Sequence, residues 1–237
     1  MILFLVRAWP TTVAGLIREQ EELARATRQP WRPTGDPAIG ACFVCFARGK
    51  TGPGEAGDPG WAGAALVCGG RVLGSAVVTG KAGAAYEPGL LALREGPLLE
   101  AAVRALPEKP DLLLVNATGR DHLRRAGLAL HLGAVLDLPT IGITHHLLLA
   151  DGDWPADEEG MTSPFRLEGE QVGYWVRTRR GTRPLAVHGA WGTDAETAVA
   201  LVGETLGTTR TPEPLRQARR LARTARAGSA PTRQSPL

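Results

Sequence analysis

The sequence predicts an α/β fold, a single domain in which a mixed sheet is flanked by helices. Three observations point there. Strand-like runs follow one another between residues 38 and 79, two of them joined at a glycine pair. Two unbroken apolar runs, around LLLV from Leu112 and TIGIT from Thr140, bracket a helical segment as a βαβ unit does. The 237 residues, 43% hydrophobic and 22% charged, suffice for one substantial core and show no internal repeat.

The elements follow in order. Residues 11–27 set Val13, Leu16, Ile17 and Leu23 near one stripe, with Arg18, Glu19 and Glu22 off it, which is amphipathic helical spacing. Residues 29–37 hold three prolines and a glycine and read as a loop. The apolar AIGACFVCFA of residues 38–47 is the first strand. A Gly/Pro/Asp turn or mobile loop is expected over 49–60, followed by AALVCGG and RVLGSAVVT as a hairpin bent at Gly69 and Gly70. Residues 94–106 read as a helix broken at Lys109 and Pro110, and DLLLVN begins a strand buried on both faces. A helix over 121–136 and a parallel strand over 140–144 complete the crossover. A polar loop is expected over 151–170, strands over 172–178 and 185–188, helices over 194–206 and 213–227, and a frayed end over 228–237. Thirty glycines and eighteen prolines against twelve aromatics indicate many turns around an aliphatic core, and exclude collagen-like and coiled-coil classes.

The formal charge of +3 hides an asymmetry. Residues 214–237 carry six arginines and no acid, whereas the first 213 residues hold 21 basic and 24 acidic side chains. The chain therefore divides into a body, 1–213, and an Arg-rich C-terminal helix and tail, 214–237. The basic pI near 9.0 belongs mainly to that tail, which either grips phosphates or is a solvated helix face. Three cysteines, Cys42, Cys45 and Cys68, are too few for a disulfide framework and suit a reducing, cytoplasmic setting. The opening MILFLVRAWP lacks a basic start and a cleavage site, and no apolar run is long enough to span a bilayer, so neither secretion nor membrane insertion is expected.

Ligand sites in such sheets lie beyond the carboxyl ends of the strands. That singles out the turn from Asn116 to Gly119, then Thr144, His145 and His146 after the next parallel strand. Glu95 at a helix opening is a third candidate, although a helix dipole also favours an acid there. Cys42 and Cys45 form a C-x-x-C, but residues three apart on a strand face opposite sides, which favours two small buried residues over a metal or redox pair. His131 and His188 stand in no motif and read as structural or surface residues.

YEPGLLALRE, residues 86–95, followed by KPDLLLVNATGRDHLRRAGLALHLGAVLDLPTIGIT, residues 109–144, resembles the endonuclease V family, nucleases that cut near deoxyinosine or inosine. The similarity runs in family order from the REQEELA helix to the last helical region. It implies a ribonuclease-H-like fold, with DNA or RNA, inosine-containing or otherwise modified, as the partner, and Mg2+ or Mn2+ as the cofactor of an active member.

Carried over by position, the resemblance puts the metal-binding glutamate at Glu95, but the first-strand aspartate at Cys42 and the aspartate of a VDG-type turn at Asn116. The family histidine corresponds to His122 and a family lysine to His145. The late acidic position corresponds to Glu196, with Asp194 competing. The implied metal set is thus Glu95, Asn116, Glu196 and Cys42, and the implied catalytic set is Glu95, His122 and His145. His122 as a helix-start hydrogen bonder is the equally plain reading. The lesion-probing wedge corresponds to Tyr86, Glu87, Pro88 and Gly89, with Ala85 where the family has its first proline. Tyr86, Pro88, Gly89 and Gly119 are the implied nucleic-acid contacts, and each also suits an ordinary turn.

Hard divalent cations require anionic oxygen. Replacing two aspartates by Cys42 and Asn116 removes two formal charges, so weak metal binding and weakened or lost hydrolysis are expected. The alternatives are an inactive pseudonuclease that binds nucleic acid or a protein partner, and a softer zinc site built from Cys42, Glu95, His145 and His146.

Overall fold

The computed structural model of the chain describes residues 8–47 and 52–229. In α1 (Val13–Arg25) the apolar stripe seals Leu16 and Leu23, and Thr12 caps the first turn through its hydroxyl, 3.1 Å from the Gly15 N–H. β1 (Ile39–Phe46), β2 (Pro59–Cys68) and β3 (Arg71–Lys81) form the antiparallel meander. α2 (Leu91–Arg104), β4 (Leu112–Val115), α3 (Leu128–Leu136) and β5 (Thr140–Thr144) follow. β6 (Thr162–Leu167), β7 (Glu170–Val176), β8 (Leu185–Gly189), α4 (Ala195–Glu204) and α5 (Glu213–Gly228) complete the described chain.

The described strands form one eight-stranded sheet in the order β3-β2-β1-β4-β5-β8-β7-β6. β1, β4 and β5 are parallel at its centre, and every other pairing is antiparallel. Alternation along the strands divides the core into two layers. Cys42, Val44, Leu113 and Val115 face the layer of α1, α2 and α3, while Ala41, Leu112, Leu114 and Ile141 face that of α4 and α5. This is the predicted mixed sheet flanked by helices.

Three segments differ from the sequence reading. The helix expected over 121–136 begins only at Leu128. Asp121 is fully buried, and its carboxylate accepts the N–H groups of Leu148, Leu149 and Ala150 at 2.7–2.8 Å, while Arg125 adopts φ +54°. That long-range bonding holds 121–127 in turns. The polar stretch 151–170 contains β6, which seals Phe165 and tolerates Pro164 because it is an edge strand. The Arg-rich helix α5 is part of the body, with Leu215, Ala218 and Ala222 buried and the helix packed on β1 and β2. The frayed end expected beyond Ser229, including Arg233, and residues 48–51 of the expected turn lie outside the described residues. No described helix is long and apolar enough to cross a membrane.

α5 approaches the sheet closely at one glycine. A Cβ on Gly63 of β2 would stand 2.5 Å from the Ala218 carbonyl oxygen and 2.9 Å from the Ala222 nitrogen. Gly63→Val is therefore expected to destabilise the chain by about 1–3 kcal/mol, the usual scale of overpacking. Urea denaturation measures this, and an unchanged midpoint would contradict the close packing of α5.

Candidate functional site

The carboxyl ends of the central strands meet in register, with Cys42 opposite Val115 and Val115 opposite Gly142. Cys42 is fully buried toward α2. Burial, and then the negative charge of Glu95, push its thiol far above its ordinary range, so it stays protonated. Glu95, in the second turn of α2, has its carboxyl raised to about 7 by burial, against the opposing pull of Arg94. Arg94 turns away, to Asp58 at 3.1 Å and the Ala84 carbonyl at 2.6 Å, with its guanidinium 4.1 Å from the centre of the Phe46 ring.

Asn116 is exposed at the end of β4, and its Oδ1 accepts a hydrogen bond from Arg219 Nη2 of α5 at 3.3 Å. His145, just past β5, has Nδ1 3.2 Å from Arg210 Nη2. Burial, followed by Arg210, Arg219, His146 and Arg183, holds its imidazole below the ordinary value. Strand ends on this side are therefore met by cations from α5 and the loop before it.

At the carboxyl ends of β4 and β5, beside α1 and the start of α2, lies a cavity of about 180 Å³, lined in part by Tyr86, Pro88, Gly89, Asn116, His122 and Thr144. It is smaller than the roughly 300–1,000 Å³ of common small-molecule pockets, a size suited to one heterocycle rather than a whole nucleotide. Gly89, at φ +79°, sets its wall. The Gly89 carbonyl accepts from Arg124 Nη2 at 2.9 Å and Gln20 Nε2 at 3.1 Å, and lies 3.2 Å from His122 Nε2. His122 Nδ1 accepts the Arg124 N–H at 3.2 Å, so Nε2 carries the proton and donates to Gly89. Burial foremost, then Arg124, lowers the His122 pKa to about 4 and keeps it neutral. Wider clefts, of about 600 and 460 Å³, open at the opposite ends of the parallel strands, away from these groups.

The profile of the Endonuclease V family matches residues 59–220, more than half of the chain and the whole region from β2 into α5. The chain belongs to the endonuclease V family. It is 43% identical over 137 residues to the endonuclease V of Geotalea uraniireducens, a match spanning 58% of this chain and 58% of that relative. The crystal structure of endonuclease V from Streptomyces avermitilis superposes with a TM-score of 0.82 at 29% identity, covering 94% of this chain and 97% of that one. A Ciona intestinalis endonuclease V, solved with a 23mer DNA containing an inosine followed by a ribo-adenosine, shares the fold at 20% identity and a TM-score of 0.74, covering 92% and 98%.

Against the set that endonuclease V resemblance implies, the structure puts Cys42 and Glu95 within electrostatic reach of each other, and lines one cavity with Tyr86, Pro88, Gly89, Asn116 and His122. Gly119 is buried, with its α-carbon packed so closely that a Cβ would meet the Gly189 carbonyl at 2.3 Å. Glu196 stands elsewhere, exposed on α4, accepting from Gln171 at 3.0 Å and Tyr174 at 3.3 Å, and Asp194 caps α4 while pairing with Arg32. Sequence reasoning missed Gln20, Arg124 and Arg219. The arginine run of α5 was visible, but which arginine reaches a strand end depends on how α5 docks.

These donors do not suit a hard divalent cation. Cys42 is a protonated thiol, Glu95 is half neutral near pH 7, and the Asn116 oxygen already accepts from a guanidinium. Among the described residues no three His, Cys, Asp or Glu side chains converge as a metal site, and the softer site of Cys42, Glu95, His145 and His146 is not assembled either.

Glu95 and His122 oppose each other in their effect on stability. Folded Glu95 keeps a proton that the unfolded chain loses between its ordinary 4.5 and about 7, so stability falls as pH rises through that window. Folded His122 refuses a proton that the unfolded chain takes up below 6.5, so stability falls as pH drops from 6.5 toward 4. Glu95→Gln is expected to be more stable than the parent chain at pH 8, the advantage shrinking as pH falls toward 4.5. Denaturation midpoints at pH 5 and pH 8 read this, and an equal difference at both would contradict the raised carboxyl.

Proposed function

We propose that the chain binds DNA or RNA carrying inosine or another altered base, and that its phosphodiester hydrolysis is weakened or lost. The Arg219–Asn116 hydrogen bond carries this reading, because a fixed positive charge stands at the strand end where family resemblance puts a cation-binding carboxylate. A guanidinium binds phosphate oxygens well but does not acidify water as a bound metal does. Losing the metal's share of charge stabilisation costs on the order of several kcal/mol in the barrier, at least hundreds-fold in rate. Any residual cutting would use Mg2+ or Mn2+, weakly held.

Binding is supported by the Ciona relative solved with inosine-containing DNA and by Tyr86, exposed beside a cavity sized for one base. An aromatic ring there stacks on a base that has left its helix. Three free thiols fit a reducing compartment, and we assign a cytoplasmic setting on that ground.

Incubation with inosine-containing oligonucleotides and Mg2+ or Mn2+ is expected to yield no cleavage above a Glu95→Ala control, while gel-shift titration shows binding. Cleavage well above that control would overturn the loss of hydrolysis, and absence of any binding would overturn the nucleic-acid reading. Restoring carboxylates by Cys42→Asp with Asn116→Asp is expected to leave cleavage at the control level, because Arg219 would pair with the new carboxylate. Metal-dependent cutting by that double variant would contradict the blocking role of Arg219.

A further inference from the structure

The cations around Asn116 form a group of their own. Arg219 and Arg223, one turn apart on α5, both lie over the Phe43 ring of β1, at 5.1 and 5.8 Å from its centre. Arg219 reaches Asn116 at the end of β4, and Arg210 reaches His145 at the end of β5, the neighbouring parallel strand. Arg210 is braced by the carbonyls of Arg183 at 2.6 Å and Pro184 at 3.0 Å. None of Arg183, Arg210, Arg219 or Arg223 pairs with a carboxylate among the described residues. The Nε of Arg219 is buried and has no hydrogen-bond acceptor. An unsatisfied charged donor is costly, and an anion that fills it recovers that cost.

We propose that Arg219, flanked by Arg210 and Arg223, is a built-in phosphate-binding centre that engages a backbone phosphodiester of nucleic acid without a divalent ion. Once the side chain turns to expose Nε, the guanidinium fork offers Nε and Nη donors to two phosphate oxygens, a geometry that a lysine or an isolated charge lacks. Asn116 also lines the base-sized cavity, so the two features are contiguous and one nucleotide spans both. This centre rests on the nucleic-acid reading above and deepens it, replacing the implied cation by a side chain.

Fluorescence anisotropy with a single-stranded inosine-containing oligonucleotide tests it, in EDTA and in Mg2+, across a salt series. The parent chain is expected to bind equally in both. Arg219→Gln, which keeps a donor for Asn116, is expected to weaken binding about ten-fold or more and to lower the slope of log K against log salt by about 0.7. Arg219→Lys is expected to recover the slope but only part of the affinity, an outcome that a purely structural role would not produce. Arg216→Ala, whose exposed side chain pairs with Glu213, is expected to change neither much. Should Arg219→Gln fail to fold, exposed Arg223→Gln is expected to weaken binding several-fold.

Binding abolished by EDTA, or unchanged in Arg219→Gln, would overturn the arginine centre and leave nucleic-acid binding standing. If the parent chain ignores oligonucleotides yet inorganic phosphate shifts its arginine Nε–H resonances, and Arg219→Gln abolishes that shift, the anion centre holds for free phosphate and the nucleic-acid reading falls. Silence in both measurements would overturn both.

Discussion

The charge pattern at the strand ends depends on how closely α5 lies on the sheet. Gly63 lets the helix backbone come down onto β2, and the buried face of α5 is built from Leu215 and the small Ala218 and Ala222. A larger residue at any of these contacts would lift the helix and draw Arg219 away from Asn116. With the helix seated, the neutral Asn116 oxygen accepts from the guanidinium, whereas a carboxylate at that position would form an ion pair with it.

Burial acts on the ionisable groups around this centre in one direction, toward neutrality. Glu95 is raised to about 7, Cys42 remains a thiol, and His122 and the fully buried His188 are both lowered to about 4. The positive charge here is carried by guanidinium groups, Arg210 and Arg219 at the strand ends with Arg223 beside them, and Arg124 at the Gly89 carbonyl. The surface left facing a ligand is consequently a basic margin beside a neutral cavity. Phosphate contacts supply affinity and register at such a margin, while the cavity beside it discriminates among bases.

His122 shows how one residue serves geometry instead of charge. Its imidazole, Arg124 and Gln20 all converge on the Gly89 carbonyl, three donors from two distant segments. That carbonyl belongs to the turn that presents Tyr86 and Pro88, so this turn is held by α1 and the 121–124 turns. A helix beginning at residue 121 would have aimed these side chains differently, and buried Asp121 prevents it.

Elements with a strong local period were legible from the chain alone. The stripe of α1, the apolar runs of β1, β4 and β5, and the hairpin at Gly69 and Gly70 express helix and strand periods within a few residues. β6 was hidden because an edge strand with polar alternate positions looks like a loop, and the late start of α3 because its cause, Asp121, bonds 27–29 residues away. The sequence by itself determined the mixed sheet, the family, and a thiol and a neutral amide at positions 42 and 116. Only the tertiary structure decided which charge stands beside Asn116, because Arg219 is 103 residues away from it and nothing but the docking of α5 brings the two together.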